Sequence, residues 1–301
     1  MGSKPKTQNY LCRGVFILFR KVNIEISNIC NLQCSFCPEV IRPKAMMSLD
    51  TFQVVISQVS QVTRLVAFHL MGEPLVHPEL KTFLDLCQEH RLRVFFVTNG
   101  VLLKEPSVLL HPVIQQVSFS LHSFTDNFPE KDPALYLKRI FDFTETAFQE
   151  RPTLFINYRL WNRNSKKGTD RHSEVFYQAI EERFQVSIPR DWNYRFKKNL
   201  VLKKYLSLHF DTEFTWPEID LPVLGESGTC YGLRSHFGVL VDGTVVPCCL
   251  DKEGNIPLGN LTEQPLKTIL KSPRAQRMIE GFRNRQLEED LCQRCQYIER
   301  F

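Results

Sequence analysis

Long apolar runs are missing from this 301-residue chain: none approaches the ~20 residues that a membrane-crossing helix needs. The nearest candidate, residues 14–19, is short and flanked by Arg13, Arg20 and Lys21. No small-residue cleavage site follows it, so a secretory leader is not expected either. The expectation is a cytoplasmic chain in a reducing compartment, with no membrane partner. Charge of one sign is also scarce, since 38 Lys and Arg against 33 Asp and Glu leave +5. Arg195, Lys197, Lys198, Lys203 and Lys204 hold that whole excess in one short window. A nucleic-acid binder carries a broader basic footprint, so a solvated basic face is preferred over an RNA or DNA groove. With 43% hydrophobic and 24% charged residues, disordered and collagen-like chains are excluded. The length gives room for one large domain or two modest ones.

Cysteine, by contrast, is plentiful, with ten in the chain. Cys30, Cys34 and Cys37 form one group, and Cys230, Cys248, Cys249, Cys292 and Cys295 another. Without an export signal, metal or cluster ligation explains them better than disulfides do. Cys87 falls on an apolar position of a predicted helix and reads as a small core residue; Cys12 carries no pattern. The first group has the spacing C-x3-C-x2-C. Three thiolates on so short a loop can each take a different iron of a cubane, leaving the fourth iron to an outside ligand or a distant residue. Zinc could use the same thiolates, but its usual paired C-x2-C units do not match the x3 gap.

That loop resembles the signature of the radical S-adenosylmethionine superfamily, C-x3-C-x-aromatic-C, with Phe36 as the aromatic. The resemblance implies a [4Fe-4S] cluster on Cys30, Cys34 and Cys37 whose open iron is chelated by S-adenosylmethionine. It also implies reductive cleavage to a 5′-deoxyadenosyl radical, an electron donor such as flavodoxin or ferredoxin, and Phe36 near the adenine. The alternative for Phe36 is a plain hydrophobic lid over the loop.

Elsewhere the sequence alternates strand and helix signals. Strands are predicted over residues 21–27, 64–70, 93–97, 116–121, 154–160 and 185–188, and helices over 48–62, 78–91, 133–149 and 171–183. Polar residues recur at the strand exits, where a parallel barrel presents its chemistry. After the second strand, Met71-Gly72-Glu73-Pro74 resembles the superfamily's G-G-E-P segment, which implies contacts from Gly72, Glu73 and Pro74 to the methionine end of the cofactor. Ser120 and Arg159 are candidates for its ribose and its carboxylate. The equally weighted alternative for each is a structural polar residue. Asn99 at a strand exit serves the turn at least, and His122 reads first as a satisfied structural histidine. The implied fold is α/β, a partial (β/α)6 TIM-like barrel over residues 21–195 behind an N-terminal extension (1–20).

Past residue 195 the rhythm stops, and a small α+β cysteine-rich domain is expected over 196–301. Asp242-Gly243 between two β-rich runs is a strong hairpin signal, and helices are expected at 264–271 and 272–282. The aromatic stretch 205–217 reads as a bridge between barrel and extension. Cys230 to Cys248, with Gly243 between them, resembles the first element of twitch and SPASM extensions, and Cys292-x2-Cys295 resembles part of the second. That likeness implies an auxiliary [4Fe-4S] cluster on Cys230, Cys248, Cys292 and Cys295. Cys249 is expected to face away from Cys248. Structural zinc is the competing ligand.

The leading expectation is a radical enzyme that abstracts hydrogen from a peptide or protein side chain. A small metabolite, sugar or RNA nucleotide is the second substrate choice. A zinc-stabilised RNA-binding protein is the alternative from another class.

Overall fold

Short strands bury every second residue against amphipathic helices, and that alternation organises the first two thirds of the molecule. The computed structural model describes residues 19–104, 106–163, 171–191, 198–212 and 214–300. Cys12, all but the last residue of the 14–19 stretch, Arg195 and Lys197 lie outside the described residues. In β1 (Lys21–Ile24), Val22 and Ile24 enter the core between sheet and helices. Helix α1 (Leu49–Val59) starts where the Ser48 side chain accepts the Thr51 N–H, as its cap signal predicts, and buries Phe52, Val55, Ile56 and Val59. There follow β2 (Leu65–Phe68), α2 (Leu80–Glu89), β3 (Arg93–Thr98), β4 (Ile114–Ser120), α3 (His122–Asn127), α4 (Ala134–Glu150), β5 (Phe155–Arg163) and α5 (Arg171–Phe184). Aromatic rings knit the outer layer together; Phe52 of α1 stacks on Phe83 of α2 with centroids 3.9 Å apart.

The predicted sixth strand at 185–188 is not a strand. Gln185 takes a left-handed φ of 51° as α5 ends. Arg190 then ties the turn back to Glu174 and Glu181 of α5 at 2.7 and 2.8 Å. No neighbouring strand is offered to residues 185–188, so their alternation comes to nothing. The sixth parallel strand is instead β7 (Leu206–Thr212), reached through the antiparallel edge strand β6 (Asn199–Lys203). Leu206, Leu208 and Phe210 supply its buried face. The rhythm thus runs past residue 195, and much of the aromatic stretch read as a bridge is barrel strand.

The C-terminal hairpin joins the same sheet. Strand β8 (His236–Val239) pairs parallel to β1, β9 (Thr244–Val246) returns antiparallel, and β10 (Gly259–Asn260) forms the edge. Gly243 turns the hairpin at φ 89°, where a Cβ would sit 2.9 Å from Asn260 Oδ1. The complete order is β10-β9-β8-β1-β2-β3-β4-β5-β7-β6, an open mixed sheet. Helices α6 (Leu266–Leu270), α7 (Pro273–Arg283) and α8 (Asp290–Gln293) complete the C-terminal segment, with Ser272 capping α7. This is the expected partial barrel, its C-terminal extension sharing the barrel sheet. Among the described residues, no helix is long and apolar enough to cross a membrane.

Candidate active site

The cysteine loop leaves β1 at the strand exit and is pinned at its base by Asn28. That side chain donates to Pro43 O (2.9 Å) and accepts from Ala45 N (2.8 Å). Its outer part is held by α3. Asn127 Oδ1 accepts the Gln33 N–H at 2.9 Å, and Asp126 accepts the Ser35 N–H at 2.7 Å. Two amides are aimed at sulfur: Asn127 Nδ2 lies 3.1 Å from Cys34 Sγ, and Asn99 Nδ2 lies 3.8 Å from Cys30 Sγ. Amide donors directed at sulfur stabilise the thiolate form that binds metal.

All three sulfurs interact. A hydrogen bond between Cys34 and Cys37 lowers the Cys34 thiol and raises the Cys37 thiol, and burial pushes Cys30 up. Among the described residues, no three His, Cys, Asp or Glu side chains converge tightly enough for a single metal ion. A cubane asks for a wider spread, because each thiolate takes a different iron.

The Met71–Pro74 segment presses on the base of this loop. Gly72 has φ 73°, and a Cβ there would lie 2.2 Å from Ser27 O and 2.9 Å from Ile29 O, so only glycine allows the approach. The Glu73 N–H donates to Ile29 O at 2.9 Å. Its carboxylate turns inward and accepts from Thr98 Oγ1 (2.7 Å), Asn99 N (2.7 Å) and Leu75 N (3.0 Å). Burial pushes its pKa up to about 7 in spite of those donors. Glu73 therefore ties the β2 exit to the β3 exit through its side chain, leaving backbone groups of the segment for any cofactor contact. Pro74 opens a buried 3₁₀ turn (Pro74–Val76).

Ser120, the last residue of β4, is the register partner of Arg159 in the middle of β5. Arg159 is buried, its guanidinium lies 3.4 Å above the Trp161 ring, and its Nε has no hydrogen-bond partner. Burial lowers its pKa to about 10, against the pull of Asp211, Cys37 and Cys249. Phe36 packs on His122 with ring centroids 4.7 Å apart. His122 is a satisfied structural histidine: its Nδ1 lies 3.0 Å from Arg159 O, and burial drops its pKa to about 4.

The second cysteine group assembles from three remote segments. Cys248 follows β9, Cys230 precedes β8, and Cys292 and Cys295 flank the end of α8. Burial raises all four thiols, and Cys230 and Cys292 act electrostatically on Cys248, as Cys230 does on Cys292 and Cys295. Four thiols linked electrostatically in this way are the number that one [4Fe-4S] centre takes. Cys249 acts electrostatically on Cys230, Cys248 and Cys295, and Lys21 and Arg159 of the barrel act on it in turn. Arg159 thus lies within electrostatic reach of Cys37 in one group and Cys249 in the other.

Sequence reasoning missed Asp126 and Asn127, which lie some 90 residues from the loop they hold. It also missed the clasp in which Glu253 accepts the Ile41 and Arg42 N–H groups (2.9 and 3.0 Å) while Arg42 pairs with buried Glu25 at 2.9 Å. Of the basic run, Lys198 pairs with Asp211 at 2.9 Å, Lys203 and Lys204 lie over aromatic rings, and the rest falls outside the described residues.

Comparison with known proteins agrees with this geometry. The profile of the radical SAM superfamily matches residues 24–158, and that of SPASM, an iron–sulfur cluster-binding domain, matches 230–296. The chain belongs to the radical S-adenosylmethionine superfamily. The two domains bring S-adenosylmethionine, a [4Fe-4S] cluster and auxiliary iron–sulfur ligation with them. Among curated proteins, the chain is 30% identical over 95 residues to the S-adenosyl-L-methionine-dependent 2-deoxy-scyllo-inosamine dehydrogenase of Niallia circulans. That match covers 29% of this chain and 38% of the dehydrogenase. Two solved structures share the fold. BtrN in complex with AdoMet and 2-DOIA is 18% identical with a TM-score of 0.55, covering 93% of each chain. Streptococcus suis SuiB bound to precursor peptide SuiA is 15% identical with a TM-score of 0.59, covering 89% of this chain and 68% of SuiB.

Proposed function

We propose that this chain is a radical enzyme that cleaves S-adenosylmethionine reductively and abstracts hydrogen from an organic substrate held at the barrel mouth. When bound, the cluster and S-adenosylmethionine supply a 5′-deoxyadenosyl radical. Cys30, Cys34 and Cys37 would hold the cluster, with Asn99 and Asn127 donating to two of their sulfurs. Backbone groups of Gly72, Glu73 and Pro74, together with Phe36, Ser120 and Arg159, would orient the cofactor. Cys230, Cys248, Cys292 and Cys295 would hold one auxiliary [4Fe-4S] cluster. Similar proteins include both a dehydrogenase named for a small molecule and an enzyme solved with a peptide, so peptide side chain and small metabolite both stand as substrate classes at this level. An electron donor such as flavodoxin or ferredoxin completes the requirements.

The observation that carries this reading is a three-thiol loop clamped by α3, with two amides aimed at its sulfurs, at the exit of the first parallel strand. Anaerobic reconstitution should give about eight irons per chain, two cubanes' worth. Dithionite and S-adenosylmethionine should then release 5′-deoxyadenosine. A protein with full iron content that yields none would end the proposal.

A further inference from the structure

The inward face of the barrel sheet is polar on β1, β4, β5 and β7, while β2 and β3 turn Ala67, Phe95 and Val97 inward. On β4, Val117 and Phe119 face the helical layer, so Gln116, Ser118 and Ser120 face inward. By the same alternation β5 presents Asn157 and Arg159, and β7 presents Ser207 and His209, while β1 presents Lys21 and Asn23. The layered interior of an ordinary parallel barrel is filled by Val, Ile and Leu. Here hydroxyl, amide and imidazole groups take those places.

These groups leave hydrogen-bonding capacity unused. Asn157 Oδ1 accepts from Ser207 Oγ at 3.2 Å, and its NH2 group has no partner among the described residues. Trp161 Nε1 can only donate, so at 3.3 Å it makes His209 Nδ1 an acceptor and puts the imidazole proton on Nε2. Asn23 Oδ1 is fully buried and without a partner. On the neighbouring strands β5 and β7, the Asn157 amide and His209 Nε2 offer donors, which suits hydroxyl groups, since each hydroxyl both donates and accepts.

Charge narrows the class. Of the inward carboxylates, Glu25 is neutralised by Arg42 and Asp211 by Lys198 and Arg300, while Glu73 is taken up by the Thr98, Asn99 and Leu75 donors. With Arg159 given to the cofactor carboxylate, Lys21 remains. Among the described residues, no carboxylate lies within ion-pair distance of it, and its ammonium stands 5.8 Å from the Phe95 ring centroid. A cationic ligand would meet this charge uncompensated. A peptide would look for apolar anchors or a strand edge, and the two aromatic rings here, Phe95 and Trp161, each have a cation over them, Lys21 at 5.8 Å and Arg159 at 3.4 Å.

We infer that the inward face of β1, β4, β5 and β7 binds a small, hydroxyl-rich molecule that is anionic or neutral, with Lys21 meeting its acidic group and Asn157 and His209 its hydroxyls. This rests on the radical-enzyme reading above and names its substrate class. Gluconate, glucose, glucosamine and a blocked tripeptide serve as probes on the reconstituted protein loaded with S-adenosylmethionine, with affinity read by ligand-observed NMR. Gluconate should bind tightest, glucose at least several-fold more weakly, and glucosamine and the peptide weakest. Lys21→Met should remove the preference for gluconate over glucose, and Asn157→Leu should weaken both. Glucosamine or the tripeptide binding as tightly as gluconate overturns the inference, as does absence of binding by every probe at about 50 mM. Formation of 5′-deoxyadenosine by the same preparation separates that failure from failure of the parent reading.

Discussion

The two cysteine groups solve opposite problems. The first lies on a single loop, its three residues within eight positions, with Cys30 and Cys37 exposed. It is held from outside, by Asp126 and Asn127 of α3 and by Asn99. The second draws four residues from three segments around β8, β9 and α8, and all four are half-buried. An accessible trio suits a cofactor that must accept an outside ligand, while a half-buried quartet suits a closed, permanent centre that also staples a segment with little core of its own. Cys249, next to Cys248, lies within electrostatic reach both of Cys230, Cys248 and Cys295 and of Lys21 and Arg159 in the barrel.

The sharpest break of that comparison removes one member from each group. Cys34→Ala should abolish 5′-deoxyadenosine formation and lose about four irons per chain. Cys292→Ala should also lose about four, yet keep uncoupled cleavage of S-adenosylmethionine while blocking substrate turnover. Iron analysis and product chromatography on the two variants check this. If Cys34→Ala still cleaves, the first group is misassigned; if Cys292→Ala stops cleavage, the two centres are not separable.

Next in size is Gly72→Ala. The added methyl would meet Ser27 O at 2.2 Å with the backbone at φ 73°, so the loop base must move. A loss of at least about 2 kcal/mol in unfolding free energy is expected from strain and overpacking together. The first group should lose its iron before the second does. Equal loss from both centres would mean that the segment braces the whole molecule and not the loop alone.

Much of this was legible because it is local. The first trio sits in one octapeptide, Ser48 caps the helix it announces, and Asp242-Gly243 turns the hairpin it signals. Spacing also singled out Cys230, Cys248, Cys292 and Cys295, whose thiols the fold brings within electrostatic reach of one another, with Cys249 among them. What could not be read was pairing across distance. Nothing in residues 185–188 says that no strand will lie beside them, and nothing in residues 206–212 says that one will. Asp126 and Asn127 follow a strand exit like any polar loop residues, and only the fold brings them to Ser35 and Cys34. Glu73 was assigned toward the cofactor, yet the Thr98 and Asn99 donors that turn its side chain inward lie a whole βα unit away.

Asn127→Leu tests the outside hold on the exposed trio with a smaller effect. Loss of the amide bond to Cys34 Sγ leaves a more electron-rich thiolate, so the first cluster's reduction potential should fall while the second's stays unchanged. Potentiometric EPR titration resolves the two. A shift in both centres would contradict a local effect.

The gentlest prediction concerns proton linkage at Glu73. Its folded pKa of about 7 exceeds the ordinary 4.5, so the folded chain binds more protons than the unfolded chain between those values. Stability from this group is therefore fully present below about pH 4.5 and is lost as pH rises through about 7, by up to about 3 kcal/mol. Glu73→Gln cannot titrate and should flatten that part of the stability–pH curve. It should also lower stability throughout, because an amide NH2 cannot accept from all three donors, Thr98 Oγ1, Asn99 N and Leu75 N. Denaturant unfolding of the reconstituted protein between pH 5 and about 7.5 reads both effects. An unchanged slope in Glu73→Gln would assign the pH dependence to another group, and the carboxylate would then be ionised where it ties the β2 exit to the β3 exit.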